Sequence, residues 1–374
     1  MKKVLIVVFA LCFLLTLSVA GCNAGAPGSP SPGTPGSQAP SLSPANSATA
    51  GKGEVYVYNW GGPYMDVGIF KDFEKQTGIK VNYSEFQTNE EMYSILKSGG
   101  ALYDVIIPSD YMISRLISEG MLEELDFSNI PNYNFIDENY KNLEYDPDGK
   151  YSVAYMVGTI CLIYNSAMIE EDITSWSALF DSNYSGQILM FDNPRDAVGI
   201  TLKYLGYSPN TVNEDEIREA FALLSEQKPL LQAYVMDQIF DKLESGEAAI
   251  GPYYAGDFLE MRENNEDLVF VRPEEGSNVF VDAMCIPKGA KNKTNAELFI
   301  NFMCSTDAGI ANMAITRYAS ANYEAAEKFS AGMDPEDREI VFASDETLAN
   351  CEVFTNLPDD ILALYTSLWV ELKR

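Results

Sequence analysis

The chain has 374 residues, 47% of them hydrophobic, which is enough for two domains of ordinary size and too apolar for a wholly disordered chain. It has no histidine, which removes Ser-His-Asp and Cys-His nucleophilic chemistry and histidine-ligated metals. With 25 basic against 55 acidic residues the formal charge is −30; this argues against a nucleic-acid partner, which needs a basic face, and it suits a cationic ligand while speaking more simply for solubility.

The N-terminus, MKKVLIVVFALCFLLTLSVAGC, opens with Lys2 and Lys3 and continues in an apolar run from Val4 to Val19. The run is short for a spanning helix and of the right kind for an export signal. It ends in Val19-Ala20-Gly21-Cys22, which resembles the bacterial lipobox, where cleavage precedes a cysteine that then takes a diacylglycerol. Residues 1–21 are therefore expected to be a lipoprotein signal peptide, with Cys22 lipidated and holding the protein to the membrane; an uncleaved signal anchor is the alternative. Residues 22–53 are rich in Pro, Gly, Ser and Ala without an apolar face, so they read as a flexible tether.

From Glu54 strands and helices alternate. EVYVYN reads as a strand, VGIFKDFEKQTG as a helix closed by Gly78, IKVNYSEF as a strand and NEEMYSILKSGG as a helix from Asn89. YDVIIPS reads as a third strand and DYMISRLISEG as a helix ended by Gly120. Such a βαβαβα series implies a parallel sheet covered by helices, with ligands expected beyond the carboxyl ends of its strands. After a looser stretch comes KYSVAYMVGTICLIYN, Lys150 to Asn165, long enough to run from one lobe into another. Further helices are expected at 195–205, 214–226, 237–245 and 294–303, and strands at 187–191, 248–252, 268–272 and 280–286. Cys161 and Cys285 lie in apolar strand-like runs and read as buried thiols, with a disulfide open in an oxidising exterior. No cysteine pair has metal-site spacing.

YNWGGPY, FEKQTGIKVNYSEFQTNEEMY, YDVIIPSDYM, TSWSALFDSNYSGQILMFDNPRDAVGITLKYLGYS, VDAMCIPKGAKNK and AELFINFMCS, in that order, resemble the spermidine/putrescine-binding proteins, the extracellular receptors of polyamine ABC importers. The resemblance spans nearly all of 54–374. It implies an α/β fold of the two-lobed type II periplasmic-binding-protein class with crossing hinge strands. One lobe would be 54–160 plus 281–326, the other 161–280 plus 327–374. It also implies a monomer without enzymatic activity or cofactor, lipid-anchored on the extracytoplasmic face, that closes on a polyamine and hands it to ABC permease subunits.

The resemblance carries site positions with it. Trp60 and Tyr64 match an aromatic wall on the first turn, with one residue inserted. Ser109 and Tyr111 match a second contact turn. Asn193 and Asp196, in DNPRD, fall where the family has a pair of acids. Tyr254 matches an aromatic position, Phe280 and Asp282 an aromatic and the acid that anchors an amine, and Tyr318 a further lining segment. The chemistry is coherent: a polyamine is an apolar rod carrying ammonium groups, so carboxylates and aromatic faces together would hold it. Without the family match, a core role and a ligand role for Trp60 are equally open. Either Asp192 or Asn193 should cap the helix after FDNP, leaving Asp196 for ligand. Asp146-Pro147-Asp148-Gly149 reads as a turn rather than a calcium loop.

Departures from the family pattern point to a smaller charge on the ligand. Glycine follows Trp60 where an acid is often found, one acid of the pair is Asn193, two tryptophans are Tyr254 and Phe280, and a polar contact aligns with Phe354. A diamine, or spermidine with one loosely held end, is expected. Thiamine or a quaternary amine, a ligand-sensing receptor and a carboxylate-pair glycosidase are the competing readings.

Overall fold

The computed structural model describes residues 53–99, 103–344 and 346–374. The signal peptide, nearly all of the tether and Cys22 lie outside the described residues.

The first half opens β1 (Gly53–Trp60), α1 (Phe70–Thr77), β2 (Ile79–Phe86), α2 (Asn89–Lys97), β3 (Val105–Ile106), α3 (Asp110–Ser118) and β4 (Ser152–Asn165). There follow β5 (Ile188–Phe191), α4 (Pro194–Tyr204), α5 (Glu214–Gln227), β6 (Leu231–Val235), α6 (Gln238–Glu244), β7 (Ile250–Tyr254), α7 (Ala255–Asn264), β8 (Leu268–Val271) and β9 (Asn278–Cys285). The chain ends in α8 (Lys293–Met303), α9 (Thr306–Thr316), β10 (Ala319–Ser320), α10 (Tyr323–Ser330), α11 (Pro335–Val341), β11 (Glu352–Val353) and α12 (Asp359–Lys373). The eight elements expected after Asn165 all lie within two residues of their expected bounds.

The sheet runs β2-β1-β3-β9-β4-β7-β5-β6. β1 pairs in parallel with β2 and β3, as the βαβαβα reading requires. β9 then enters antiparallel to both β3 and β4, so the whole sheet is mixed. β4 is buried along all 14 residues because both its faces are covered, and its apparent alternation in sequence does not mark a solvent face. Its first half pairs with β9 and its second half with β7 and β8. β4 thereby joins two hydrophobic cores. One gathers Val55, Phe73, Ile106, Val153 and Phe299; the other gathers Ile160, Trp176, Phe191, Ile250 and Phe258.

Two local differences from the sequence reading bear on the site. The helix around VGIFKDFEKQTG begins as a 3-10 turn at Val67–Ile69, because the Asp66 side chain accepts from Gly68 N at 2.7 Å and caps that turn. Gly78 closes α1 in the left-handed region, φ 74°. The third strand is only two residues long: past Ile106 the chain leaves β1 and turns to β9, where Ala283 N donates to Pro108 O and Ser109 bridges Asp282. That turn delivers the second contact segment to the cavity. Cys161, Cys285 and Cys304 are buried, Cys351 is half-buried, and all four are free thiols. Asp146 opens the expected turn, which Gly149 N closes by donating to Asp146 O at 2.8 Å, and its carboxylate accepts from the backbone of Lys150, Tyr151 and Ser152.

Candidate ligand-binding site

A cavity of about 330 Å³ opens beyond the carboxyl ends of β1, β5 and β7, against the middle of β9. Trp60, Tyr64, Ser109, Tyr111, Asn193, Asp196, Tyr254, Phe280, Asp282 and Tyr318 all line it. The sequence reading placed these residues in six separate segments, and the fold brings every one to a single hollow.

The first turn is built for close approach. Gly62 has φ 76°, and a Cβ on Gly61 would run into the Gln87 side chain, so Gly61 keeps room for that amide. Trp60 is propped by Phe86, ring centroids 4.8 Å apart, and lines the cavity. Tyr64 donates its hydroxyl to Asp282 Oδ2 at 2.5 Å, and Tyr155 fixes the turn by donating to Tyr64 O at 3.0 Å.

Tyr111 is held by α2: Asn89 Nδ2 donates to its hydroxyl at 3.1 Å, and the hydroxyl donates to Glu90 Oε1 at 3.0 Å. At the start of α4 the N-cap is Asn193, whose Oδ1 accepts from Arg195 N at 3.0 Å. Its amide nitrogen also donates to Asp196 Oδ2 at 2.8 Å, so the residue caps and faces the site together. Asp192 points elsewhere and pairs with Lys373. Tyr254 donates to the same Asp196 oxygen at 2.8 Å. A chain of edge-to-face rings runs Tyr254–Phe280–Tyr318–Tyr64, centroids 5.6, 5.8 and 5.5 Å apart.

Several lining residues were not singled out from sequence. Asp257 on α7 accepts from the Tyr318 hydroxyl at 2.8 Å. It stands three residues after Tyr254, in the first turn of a helix that leaves a strand end; that spacing was the available signal. Asp110 is fully buried and uses its carboxylate on the backbone, accepting from Tyr111 N at 2.7 Å and Val281 N at 3.1 Å. Phe354, noted only as a departure, forms part of the wall and rests on Gly199, where a Cβ would stand 2.8 Å from its Cζ. The Arg195 guanidinium sits 4.4 Å from the Phe354 ring centroid. It donates to Pro209 O, Asn210 Oδ1 and Thr355 O, which ties the C-terminal segment to α4.

Among the described lining residues there is no lysine or arginine, against carboxyls at Asp110, Asp196, Asp237, Asp257, Glu260 and Asp282. Burial disfavours charge on Asp110, Asp196, Asp257, Glu260 and Asp282 and raises their pKa values. Asp282 rises from 3.8 to about 6, against the opposing pull of Ser109 and Tyr64. Asp196 rises to about 7, with the Tyr254 hydroxyl pulling it down. Asp257 rises to about 8, against the Tyr318 hydroxyl, and Asp110 to about 8, against its two backbone donors. Asp282 is 3% exposed, and its Oδ1 has no well-directed hydrogen-bond partner. A buried acceptor with only the nearby Ser109 hydroxyl to help it, in a hollow with no basic side chain on its walls, suits a cationic N–H donor from outside.

The family described as bacterial extracellular solute-binding protein matches residues 68–339. The chain belongs to that family. A spermidine/putrescine-binding periplasmic protein of Salmonella typhimurium is 33% identical over 322 residues, covering 85% of this chain and 91% of the relative. Among solved structures, a Listeria monocytogenes protein assigned to a spermidine/putrescine ABC transporter superposes with TM-score 0.80 at 37% identity, over 86% of this chain and 98% of that one. The substrate-binding protein of the Streptococcus pneumoniae spermidine/putrescine ABC transporter superposes with TM-score 0.73 at 33% identity, over 86% and 98%. This solute-binding chain therefore has the α/β fold expected of its family, and its relatives are binding components of transporters rather than enzymes.

Proposed function

We propose that the protein captures a polyamine, putrescine or spermidine, outside the cytoplasm and delivers it to the permease subunits of an ABC importer. The observation that carries this reading is the Asp282 carboxylate: buried, steadied by Tyr64 on one oxygen, without a well-directed partner on the other although Ser109 is near, and facing a cavity walled by aromatics and acids. An ammonium group supplies both the charge and the N–H that the site lacks. The methylene rod would lie along the rings from Tyr254 to Tyr64, and a second ammonium would reach Asp196 or Asp257. A quaternary amine would suit the rings but has no N–H for Asp282 Oδ1, so a primary amine is favoured.

The two cores joined by β4 support lobes of 54–160 plus 281–326 and 161–280 plus 327–374, closing on the ligand as a hinge. Asn193 gives its amide to Asp196, and Phe354 fills the neighbouring wall, so this end offers one carboxylate rather than two. A diamine, or spermidine held firmly at one end, is the preferred ligand. Lipidation at Cys22 would keep the monomer at the membrane beside its permease.

Deleting the gene and following uptake of labelled putrescine and spermidine tests transport itself. Loss of uptake, restored by the wild-type chain and not by Asp282→Asn, is expected; undiminished uptake would move the function to sensing. Replacement of Cys22 by serine should shift the protein from the membrane fraction to the soluble one, and retention at the membrane would refute the lipid anchor.

A further inference from the structure

Tyr318 lies between two glycines from different parts of the fold. A Cβ on Gly158, in β4, would stand 2.7 Å from Tyr318 Cδ1 and 2.9 Å from its Cε1, and would also strike Phe280, the cross-strand neighbour of Gly158. A Cβ on Gly256, the second residue of α7, would stand 2.9 Å from Tyr318 Cζ and 3.0 Å from its Cε1, as well as 3.0 Å from Arg317 O. Separations this short are essentially never tolerated below 3.0 Å. Neither glycine is among those with positive φ, so neither is required for backbone conformation. Both also run against local propensity: alanine would favour the helix at 256, and a side chain would favour the buried strand at 158. The Tyr318 ring is the neighbour the two glycines share, with Phe280 Cζ as a second and closer obstacle at Gly158 and Arg317 O at 3.0 Å at Gly256.

The ring they admit reaches across the molecule. Tyr318 packs in the first core, whereas Gly256 opens a helix whose Ala255, Phe258 and Met261 pack in the second. Its hydroxyl lands on the residue after Gly256, donating to Asp257 Oδ2. We propose that Gly158 and Gly256 are positioning residues, a paired seat that sets Tyr318 so that its hydroxyl fixes one oxygen of Asp257 and leaves the other for an N–H of the ligand. This deepens the amine-binding reading, and its binding arm rests on it.

The test is a pair of mutant cycles on the full-length chain purified in detergent. In the ligand-free protein, Gly256→Ala should lower the melting temperature when Tyr318 is present. With Tyr318→Ala the loss should be much smaller, because the overlap with the ring is gone and only the contact with Arg317 O at 3.0 Å remains. Gly158→Ala should be relieved by Tyr318→Ala in the same direction, and less completely because Phe280 stays. A Gly256→Ala chain that does not fold is decided by whether Tyr318→Ala restores folding; failure to restore overturns the seat, as does equal destabilisation by Gly256→Ala in both backgrounds. In calorimetric titration with putrescine, Gly256→Ala should weaken binding about 10-fold, the loss of one charge-assisted hydrogen bond. It should add little in a Tyr318→Phe background, where the hydroxyl is already absent; full additivity overturns the proposal. If the wild type binds no amine, the amine reading fails, and the melting cycle still decides the seat.

Discussion

Replacing Asp282 by asparagine should move affinity and stability in opposite directions. Asp282 is 3% exposed, and its pKa rises from 3.8 to about 6 because burial penalises the charge. A shift of about two units corresponds to roughly 3 kcal/mol that the ligand-free fold loses at neutral pH by keeping this group ionised. The amide carries no such penalty and still offers an oxygen to Tyr64, so the ligand-free variant should melt higher than wild type at pH 7.5. Amine binding should suffer: truncating one partner of a buried charge pair costs about 2–5 kcal/mol, or roughly 30-fold to several-thousand-fold in Kd. Thermal unfolding monitored by circular dichroism, together with calorimetric titration of putrescine, reads both effects. A variant that loses affinity and is also less stable without ligand would refute the reasoning, because Asp282 would then be a structural residue whose charge the fold needs.

Three other outcomes follow from the site. The cavity carboxyls, raised to about 6 at Asp282, about 7 at Asp196 and about 8 at Asp257, hold protons that a cation must displace, so amine affinity should fall as pH is lowered from 8.5 to 5.5. Ligand-free stability should run the other way, present at low pH and lost as pH rises through these values; a flat affinity profile with no proton release in buffers of different ionisation heat contradicts this. Asn193→Asp keeps a good helix cap but sets a second carboxylate against Asp196 where the amide now donates at 2.8 Å, so it should lower the melting temperature at pH 8 and raise spermidine affinity relative to putrescine. An unchanged ratio would count against the Asn193 account of ligand size. Trp60→Ala removes one aromatic face, worth about 0.5–2 kcal/mol to a bound cation, and should weaken putrescine several-fold to about 30-fold with the melting temperature little altered; equal affinity would return Trp60 to the core.

The parts of the site legible from local pattern were those at an element end: Trp60 closes a strand and Tyr64 follows in its turn, and capping chemistry marks the helix start at Asn193. Tyr254, Phe280, Asp282 and Tyr318 came only from the family resemblance, since Phe280 and Asp282 lie inside β9, where period alone does not tell a core residue from a ligand contact. Asp257 was missed because an acid in the first turn of a helix is ordinarily explained by the helix dipole. Gly158 and Gly256 were invisible for a different reason. Neither marks a turn, and the ring they accommodate arrives from a distant segment at Tyr318. The third strand was read too long because nothing in YDVIIPS reveals that β9 takes over its edge at Ser109. The mixed sheet could not be read at all from local pattern, since the antiparallel entry of β9 depends on which strands meet, and sequence period is blind to pairing.

The central claim is that the cavity holds a primary polyamine through Asp282. Calorimetric titration of the ligand-free protein with putrescine, spermidine and spermine, with thiamine as control, tests it most directly. Saturable binding of putrescine or spermidine, weaker for spermine and thiamine and abolished in Asp282→Asn with Trp60→Ala, is the predicted result. Folded protein that takes up none of the amines, or that strongly prefers spermine, would contradict it.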